Sequence, residues 1–189
     1  MKLVKVKLTG KSPLIMHCDR LANPLDPATK AHKELTGKRK KTDDDHRAIA
    51  KSEYIAGSYW RKDIGFHLPA NMLEACLIKA AKMQKLGTKF MQGVRVMEDD
   101  LVLHGYEKKT PEQLWEDPSS VDCRGVRVGT AKVMRYRPIL RRWSTEATIA
   151  LNEDVVNLSE VKKAAIDAGA LCGLGDSRPR YGRFEVEFV

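Results

Sequence analysis

Alternating apolar and polar side chains mark both ends of the chain. In residues 2–9 the apolar side chains fall on one face, while Lys5, Lys7 and a threonine fall on the other. Period-two alternation is typical of a half-buried strand, so this segment predicts a strand with a basic open face. Residues 184–188 alternate Phe and Val with glutamate and predict a closing strand of the same kind.

Two stretches carry the spacing of amphipathic helices. Residues 68–85 place Pro69 in the first turn and bring Met72, Cys76 and Ala80 into one row. Residues 158–171 follow Asn157, which forms a capping-box pattern with Glu160. These patterns predict the two main helices of the fold.

The remaining segments are less regular. Residues 131–137 and 145–151 predict two strands joined through a proline and a basic turn, 94–97 and 101–104 predict a hairpin, and 112–115 predict a short helical turn. Residues 17–62 show weak apolar periodicity, so we expect a long, mobile and irregular insertion there. We expect residues 88–125 to be a second, variable hairpin insertion.

Without these insertions the predicted order is βαββαβ. We therefore expect an α+β chain, a single domain over residues 1–189, with a ferredoxin-like (RRM-like) core and an antiparallel sheet. Helices would cover one face of that sheet and leave the face bearing Lys5 and Lys7 open. Open sheet faces of this kind are used to bind single strands of nucleic acid.

Charge points to the class of partner. The chain has 34 Lys and Arg against 25 Asp and Glu, a formal net charge of +9. Residues 124–142 contain seven basic residues and no acidic one, and residues 38–41 are all basic. Clustered positive charge favours a polyanion, most commonly nucleic acid, although scattered basic residues also simply keep a surface solvated.

Two further features narrow the class of protein. No apolar run approaches the roughly 20 residues that cross a bilayer, so we expect a cytoplasmic protein. The four cysteines are widely spaced and form no ligand motif with the histidines, so we expect reduced thiols, no metal and no cofactor.

Residues 173–184 combine three glycines, three arginines and a tyrosine before the closing strand. Glycine lets the backbone approach a ligand, arginine offers forked donors to phosphate, and Tyr181 offers a face to a base. A P-loop needs Gly-Lys-Ser/Thr before a helix, and a dinucleotide fingerprint fails because Arg178 stands at its third glycine. The segment is predicted to touch a phosphodiester chain, the alternative being a turn whose arginines only face solvent.

Six positions of this segment form a pattern of glycines, arginines and a tyrosine: Gly173, Gly175, Arg178, Tyr181, Gly182 and Arg183. They resemble the glycine-rich loop of the RAMP superfamily, the repeat-associated ferredoxin-like proteins of CRISPR systems. Two other segments resemble the same superfamily less specifically: the strand that runs into residues 12–16 and the proline-led turn at 67–73. The resemblance implies a backbone-type subunit, or a solitary or phage-encoded relative, that coats guide RNA as a head-to-tail oligomer. It also implies that residues 17–62 are a thumb-like insertion.

We therefore predict a binding protein for single-stranded RNA, with single-stranded DNA as the alternative, and no catalytic residue. The expected contacts lie on the sheet face, in the insertion, along 124–142 and in the glycine-rich loop: Lys5, Lys7, Lys38, Arg39, Lys40, Lys41, Arg124, Arg127, Arg135, Arg137, Arg141, Arg142, Gly173, Gly175, Arg178, Arg180, Tyr181 and Arg183. Tyr54, Tyr59 and Trp60 either stack bases or seat the insertion against the core.

Two other functions stay open. An endoribonuclease could hold magnesium at residues 43–45 beside His46, or at Asp19 beside His17, or could act without metal through His17 or His46. The acidic run at 43–45 could equally balance the neighbouring lysines. An adaptor or inhibitor that mimics a CRISPR subunit would bind such a complex but not free oligonucleotide.

Overall fold

A computed structural model describes the backbone of residues 1–189 and every side chain but that of Val128. Within these residues the strands are β1 (Lys2–Gly10), β2 (Leu14–Ile15), β3 (Trp60–Arg61), β4 (Gly65–Pro69), β5 (Val94–Val96), β6 (Asp100–Val102), β7 (Val121–Val128), β8 (Ala131–Leu140), β9 (Ser144–Leu151) and β10 (Phe184–Phe188). The α-helices are α1 (Pro27–Thr36), α2 (Asp43–Ala56), α3 (Ala70–Met83), α4 (Gly87–Gly93), α5 (Pro111–Trp115) and α6 (Leu158–Asp167). A π turn at Ala168–Cys172 continues α6.

Four strands form the main sheet in the order β10-β1-β9-β5, and each neighbouring pair is antiparallel. The first strand of the chain is therefore central, with Val6 opposite Phe188 of β10 and Ala147 of β9. Helix α3 lies between β1 and β5 in the chain, and α6 lies between β9 and β10.

One face of the main sheet packs on the core. Val6 and Leu8 of β1 are each 1% exposed and share a core cluster with Leu73 of α3 and Val161 of α6. Helix α3 can pack there because its apolar residues recur every three or four positions and so form one stripe. The other face of β1 carries exposed polar side chains, as the alternation predicts.

Two smaller sheets have three strands each, in the orders β2-β8-β7 and β3-β4-β6. Strands β7 and β8 form a long hairpin, paired from Val121 opposite Pro138 to Val128 opposite Ala131. Helix α2 packs against β8, and α1 packs against α2. The hairpin and the helical insertion are thus joined to each other through β8.

Residues 17–62 contain two helices where an irregular segment is predicted, so that prediction is wrong. Helix α1 begins after Asp26, whose carboxylate accepts a hydrogen bond from Ala28 N at 2.8 Å. Helix α2 begins with a capping box between Thr42 and Asp45. Tyr54 is fully buried and donates a hydrogen bond to Ser120 O at 3.1 Å, so it seats the insertion on the core.

The hairpin predicted at 94–97 and 101–104 is also wrong, because the two strands join different sheets. β5 pairs with β9, and β6 pairs with β4. The intervening residues are held apart, since Thr148 N donates to the Glu98 carboxylate at 2.9 Å and Ala70 N donates to Asp99 O at 2.9 Å. β8 likewise pairs with β7 and β2 instead of entering the main sheet beside β9.

The α+β class with antiparallel sheets is confirmed. The helix after Asn157 and its capping box are present, as are the short helix at Pro111–Trp115 and the closing strand. The helix predicted over 68–85 is α3, which begins two residues later because the preceding residues belong to β4. Every helix in the described chain is too short or too polar to cross a membrane.

Candidate nucleic-acid interface

The glycine-rich loop, residues 173–183, lies against the segment that follows β1. Gly182 N donates to Pro13 O and Asp176 N donates to Ile15 O, both at 2.8 Å. Gly175 and Gly182 both have φ of +73°, a Cβ on Gly175 would lie 2.5 Å from Ile15 O, and one on Gly182 would collide with Leu174 O. The glycines at these positions are therefore needed for close backbone packing within the protein.

The β7–β8 hairpin meets this loop at Tyr181. Arg124 of β7 donates from Nη2 to the Tyr181 hydroxyl at 2.9 Å, and its guanidinium carbon lies 4.9 Å from the ring centroid. Arg180 lies 5.9 Å from the same centroid. The hydrogen bond from Arg124 lowers the pKa of the Tyr181 phenol. The structure thus gathers two of the predicted arginines around the predicted stacking residue.

Next to this contact lies an ion-pair cluster whose two central residues, Arg137 and Asp122, are buried. Arg137 of β8 is 4% exposed and donates to the Asp122 carboxylate of β7 at 2.8 and 3.2 Å. Its Nη1 atom pairs with Asp176 of the glycine-rich loop, and Arg124 also pairs with Asp122. Arg137 is thus placed where it joins the loop to the hairpin, not on the surface where the sequence prediction put it.

Other predicted arginines of β8 and its following turn also have protein partners. Arg135 donates to Glu53 of α2 at 2.6 Å and is only partly exposed. Arg141 donates to Ser119 O at 2.9 Å and is exposed with Arg142. Arg135 and Arg141 therefore hold local structure as well as adding positive charge.

The remaining cations of the loop and hairpin face solvent. Arg127 and Lys132 stand directly opposite each other near the hairpin turn, and both are exposed. In the loop, Arg178, Arg180 and Arg183 are exposed as well. We call the following set the cationic surface: Arg124, Arg178, Arg180 and Tyr181.

The open sheet face is less basic than the sequence suggests. Lys7 stands opposite Glu187 of β10 and Glu146 of β9, and Lys5 stands opposite Thr148. Residues directly opposite in antiparallel strands share a face, so glutamates surround Lys7. This face has mixed charge and is a poorer surface for phosphates than the loop and hairpin.

The basic run at 38–41 connects α1 to α2 and is exposed. Lys38 pairs with Asp45, and Lys41 Nζ donates to Lys38 O at 2.7 Å. Arg39 and Lys40 extend into solvent. None of the hydrogen bonds or ion pairs of the described residues ties this run to the glycine-rich loop.

One cleft adjoins the cationic surface at Arg178, and a second cleft lies next to the first. The Arg178 cleft, of about 460 Å³, is lined by residues that include Asp19, Tyr59, Asn71 and Arg178. The His17 cleft, of about 410 Å³, shares Asp19 with it.

The His17 cleft brings His32 and Glu53, which sequence reasoning missed, together with His17 and Arg135, which it named. Its lining includes His17, His32, Glu53 and Arg135. The Nδ1 atom of His32 lies 3.1 Å from Ser52 Oγ. Nothing in the spacing of the two histidines marks them as neighbours, because α1 must fold before they line one cleft.

The acidic run at 43–45 forms the first turn of α2. Asp45 closes the capping box and pairs with Lys38, and together these bonds lower its pKa to about 2. Asp44 pairs with the exposed Arg47 at 3.2 Å. Within the described side chains, no group of three His, Cys, Asp or Glu residues is arranged to hold a metal ion.

Comparison with known proteins gives no match, either to the models of protein families or to curated sequences.

Proposed function

We propose that this protein binds single-stranded nucleic acid, RNA in preference to DNA, along the cationic surface. The contact of Arg124 and Arg180 with Tyr181 carries the proposal, because it joins the basic stretch at 124–142 to the glycine-rich loop. Arginine binds phosphate through forked donors, and an arginine plane can also stack on a base. Arg127 and Lys132 are exposed on the opposite face of the hairpin, because strand side chains alternate between faces, and they add positive charge there.

We also propose that the main sheet and its helices are a ferredoxin-like core. Numbered by chain order, the strands of the main sheet are β1, β5, β9 and β10, and across the sheet they lie in the order fourth, first, third, second. Helix α3 connects the first to the second, and α6 connects the third to the fourth. This arrangement and the glycine-rich loop support a RAMP-like backbone protein, solitary or part of a CRISPR-type complex. Coating of a strand by a head-to-tail oligomer in the cytoplasm belongs to the same proposal.

Salt dependence tests the binding function. Affinity for a labelled single-stranded RNA should fall steeply with salt, with a log–log slope of about 0.7 for each neutralised phosphate. Replacing Arg178 and Arg180 together by Ala should weaken binding to every sequence and reduce the slope by about 1.4. A flat salt dependence would remove the proposal.

A matched control removes the same charge elsewhere. Lys162 and Lys163 lie on α6, where Lys162 is near the Phe188 ring and Lys163 pairs with Asp167. Their double replacement by Ala should leave the slope close to that of the wild type. An equal loss in both double variants would mean that net charge, not the glycine-rich loop, determines affinity. Binding to a CRISPR-type complex without binding to oligonucleotide would favour the adaptor.

The His17 cleft favours one second function, metal-independent RNA cleavage. Two imidazoles and a guanidinium line it, and His17 is exposed. One imidazole could take the proton of a 2′-hydroxyl as that oxygen attacks phosphorus, while the other protonates the departing 5′-oxygen. Labelled RNA incubated in EDTA should then be cut, and His17→Ala or His32→Ala should stop cleavage while His46→Ala does not.

A further inference from the structure

A chain of ion pairs and hydrogen bonds leaves the glycine-rich loop at one residue and returns to it at another. It starts at Asp176, which pairs with Arg137 of β8. Arg137 pairs with Asp122 of β7 at 2.8 Å, and Asp122 pairs with Arg124. Arg124 then donates to the Tyr181 hydroxyl at 2.9 Å, which closes the circuit on the loop.

We propose that Asp176 is a positioning residue for nucleic-acid binding: it fixes the glycine-rich loop on the hairpin and so sets where Arg180 and Arg124 stand. This proposal rests on the proposed function. Asp176 is an acidic residue next to the cationic surface, and holding the loop in place gives it a role there.

Both carboxylate oxygens of Asp176 are engaged in positioning the loop. Oδ1 accepts from Ser177 N at 2.6 Å, and Oδ2 accepts from Arg137 Nη1. The same Nη1 lies 3.4 Å from Ser177 Oγ. Because Arg137 is 4% exposed, water cannot readily replace the lost carboxylate at Nη1. The Arg137 charge would stay paired with Asp122, but its charged hydrogen bond to the loop would be gone.

A role through charge alone and a positioning role predict opposite changes in RNA affinity when Asp176 is replaced. Removing a negative charge from a cationic surface raises its attraction for phosphate. If Asp176 acted only through its charge, Asp176→Asn would bind RNA more tightly. A positioning role predicts weaker binding despite the added net positive charge.

The experiment compares Asp176→Asn with Asp154→Asn in binding to a labelled single-stranded RNA over a range of salt concentrations. Asp154 is an exposed acid in the turn after β9, so its substitution makes the same charge change outside this circuit. We expect Asp176→Asn to lose about tenfold or more in affinity, as for a lost charged hydrogen bond, while Asp154→Asn changes little. Asp176→Glu, which keeps the carboxylate, should recover part of the loss. Equal or tighter binding by a folded Asp176→Asn would overturn the proposal.

Hydrogen exchange without nucleic acid separates this inference from the proposed function. Asp176→Asn should speed amide exchange at Leu174 and Gly182, which hydrogen-bond within and beneath the loop, even if the wild type binds no RNA. Unchanged exchange there would contradict the positioning role by itself.

A second variant covers the case in which Asp176→Asn does not fold. Tyr181→Phe removes the hydroxyl at the other end of the circuit and leaves the buried ion pairs in place. It should weaken RNA binding and speed exchange at Asp176, whose amide bonds to Ile15 O. If it alters neither, the two ends of the loop are not coupled and the proposal fails.

Discussion

Tyr181 lies near two guanidinium groups, and these groups determine the acidity of its phenol. The hydrogen bond and positive charge of Arg124, with Arg180 nearby, favour the phenolate and lower its pKa. Tyr59 has the opposite environment, since burial raises its pKa to about 12. We therefore predict that Tyr181 ionises at a lower pH than Tyr59.

An ultraviolet absorbance titration measures this order. Tyr181→Phe should remove the first ionisation step, and Arg124→Ala should move that step to higher pH, because the phenolate loses its cation. The same curve from wild type and Arg124→Ala would show that Arg124 does not stabilise the phenolate.

At the scale of single residues, the burial of an arginine could not be predicted from the sequence. The basic stretch at 124–142 identified Arg124 and Arg137 as important, but not that one lies at the surface and the other is buried. That difference depends on Asp122 and Asp176, which are 15 and 39 positions from Arg137. Residue type and local spacing carry no information on pairings of that range.

Among the elements, the glycine-rich loop should be the most sensitive to added side chains. Gly182→Ala should destabilise the protein because its Cβ would collide with backbone atoms of Leu174. Gly105 also has positive φ, +95°, but a Cβ there meets no described atom within 4 Å. Gly105→Ala should lower the free energy of unfolding by the backbone strain alone, about 1–2 kcal/mol. Gly182→Ala should lower it by about 1–3 kcal/mol more, because of the collision.

Denaturant unfolding of the two variants measures the difference. Matched losses would mean that the loop relaxes away from the collision and is not held by its packing on Leu174.

Helix α2 gives a prediction about pH. The pKa of Asp45 falls from its ordinary 3.8 to about 2 through its bonds to Lys38 and Thr42. A carboxylate with a lowered folded pKa contributes stability above its unfolded pKa, and this contribution is lost as the pH falls toward the folded value. Asp45→Asn should therefore be less stable than wild type near neutral pH, and the difference should shrink between about pH 4 and pH 2.

Denaturant unfolding across that range provides the measurement, with Asp44→Asn as the control. Asp44 lies in the same helical turn, but its side chain is 90% exposed. A difference for Asp45→Asn that does not vary with pH would show that the ion pair and cap contribute nothing through charge.

Local signals explain which elements could be predicted. The capping pattern of Asn157 with Glu160 and the alternation in residues 2–9 act within a few positions, and both predictions hold. Strand pairing is not local. The short runs at 94–97 and 101–104 carry the apolar pattern of strands, but the bonds made by Glu98 and Asp99 to distant residues decide which sheet each joins.

Over the whole molecule, one cluster of buried side chains connects the main sheet to the helical insertion. It includes Tyr54 of α2, Phe66 of β4, Leu140 of β8 and Phe184 of β10. Because these elements share a core, we predict one cooperative unfolding transition.

Circular dichroism and tryptophan fluorescence should give coincident unfolding curves. Trp143 packs against Phe184 near the main sheet and Trp115 packs against Tyr54, so fluorescence reports on both regions. Separate transitions would show that the insertion unfolds independently.

The central place of β1 has a consequence for synthesis on the ribosome. β1 is translated long before both of its neighbours in the main sheet, β9 and β10, because 134 positions separate Gly10 at the end of β1 from Ser144 at the start of β9. The apolar face of β1 therefore stays exposed to solvent until β9 and β10 have left the exit tunnel. Pairings across such a separation close slowly, so the nascent protein should depend on chaperones more than its size alone would suggest.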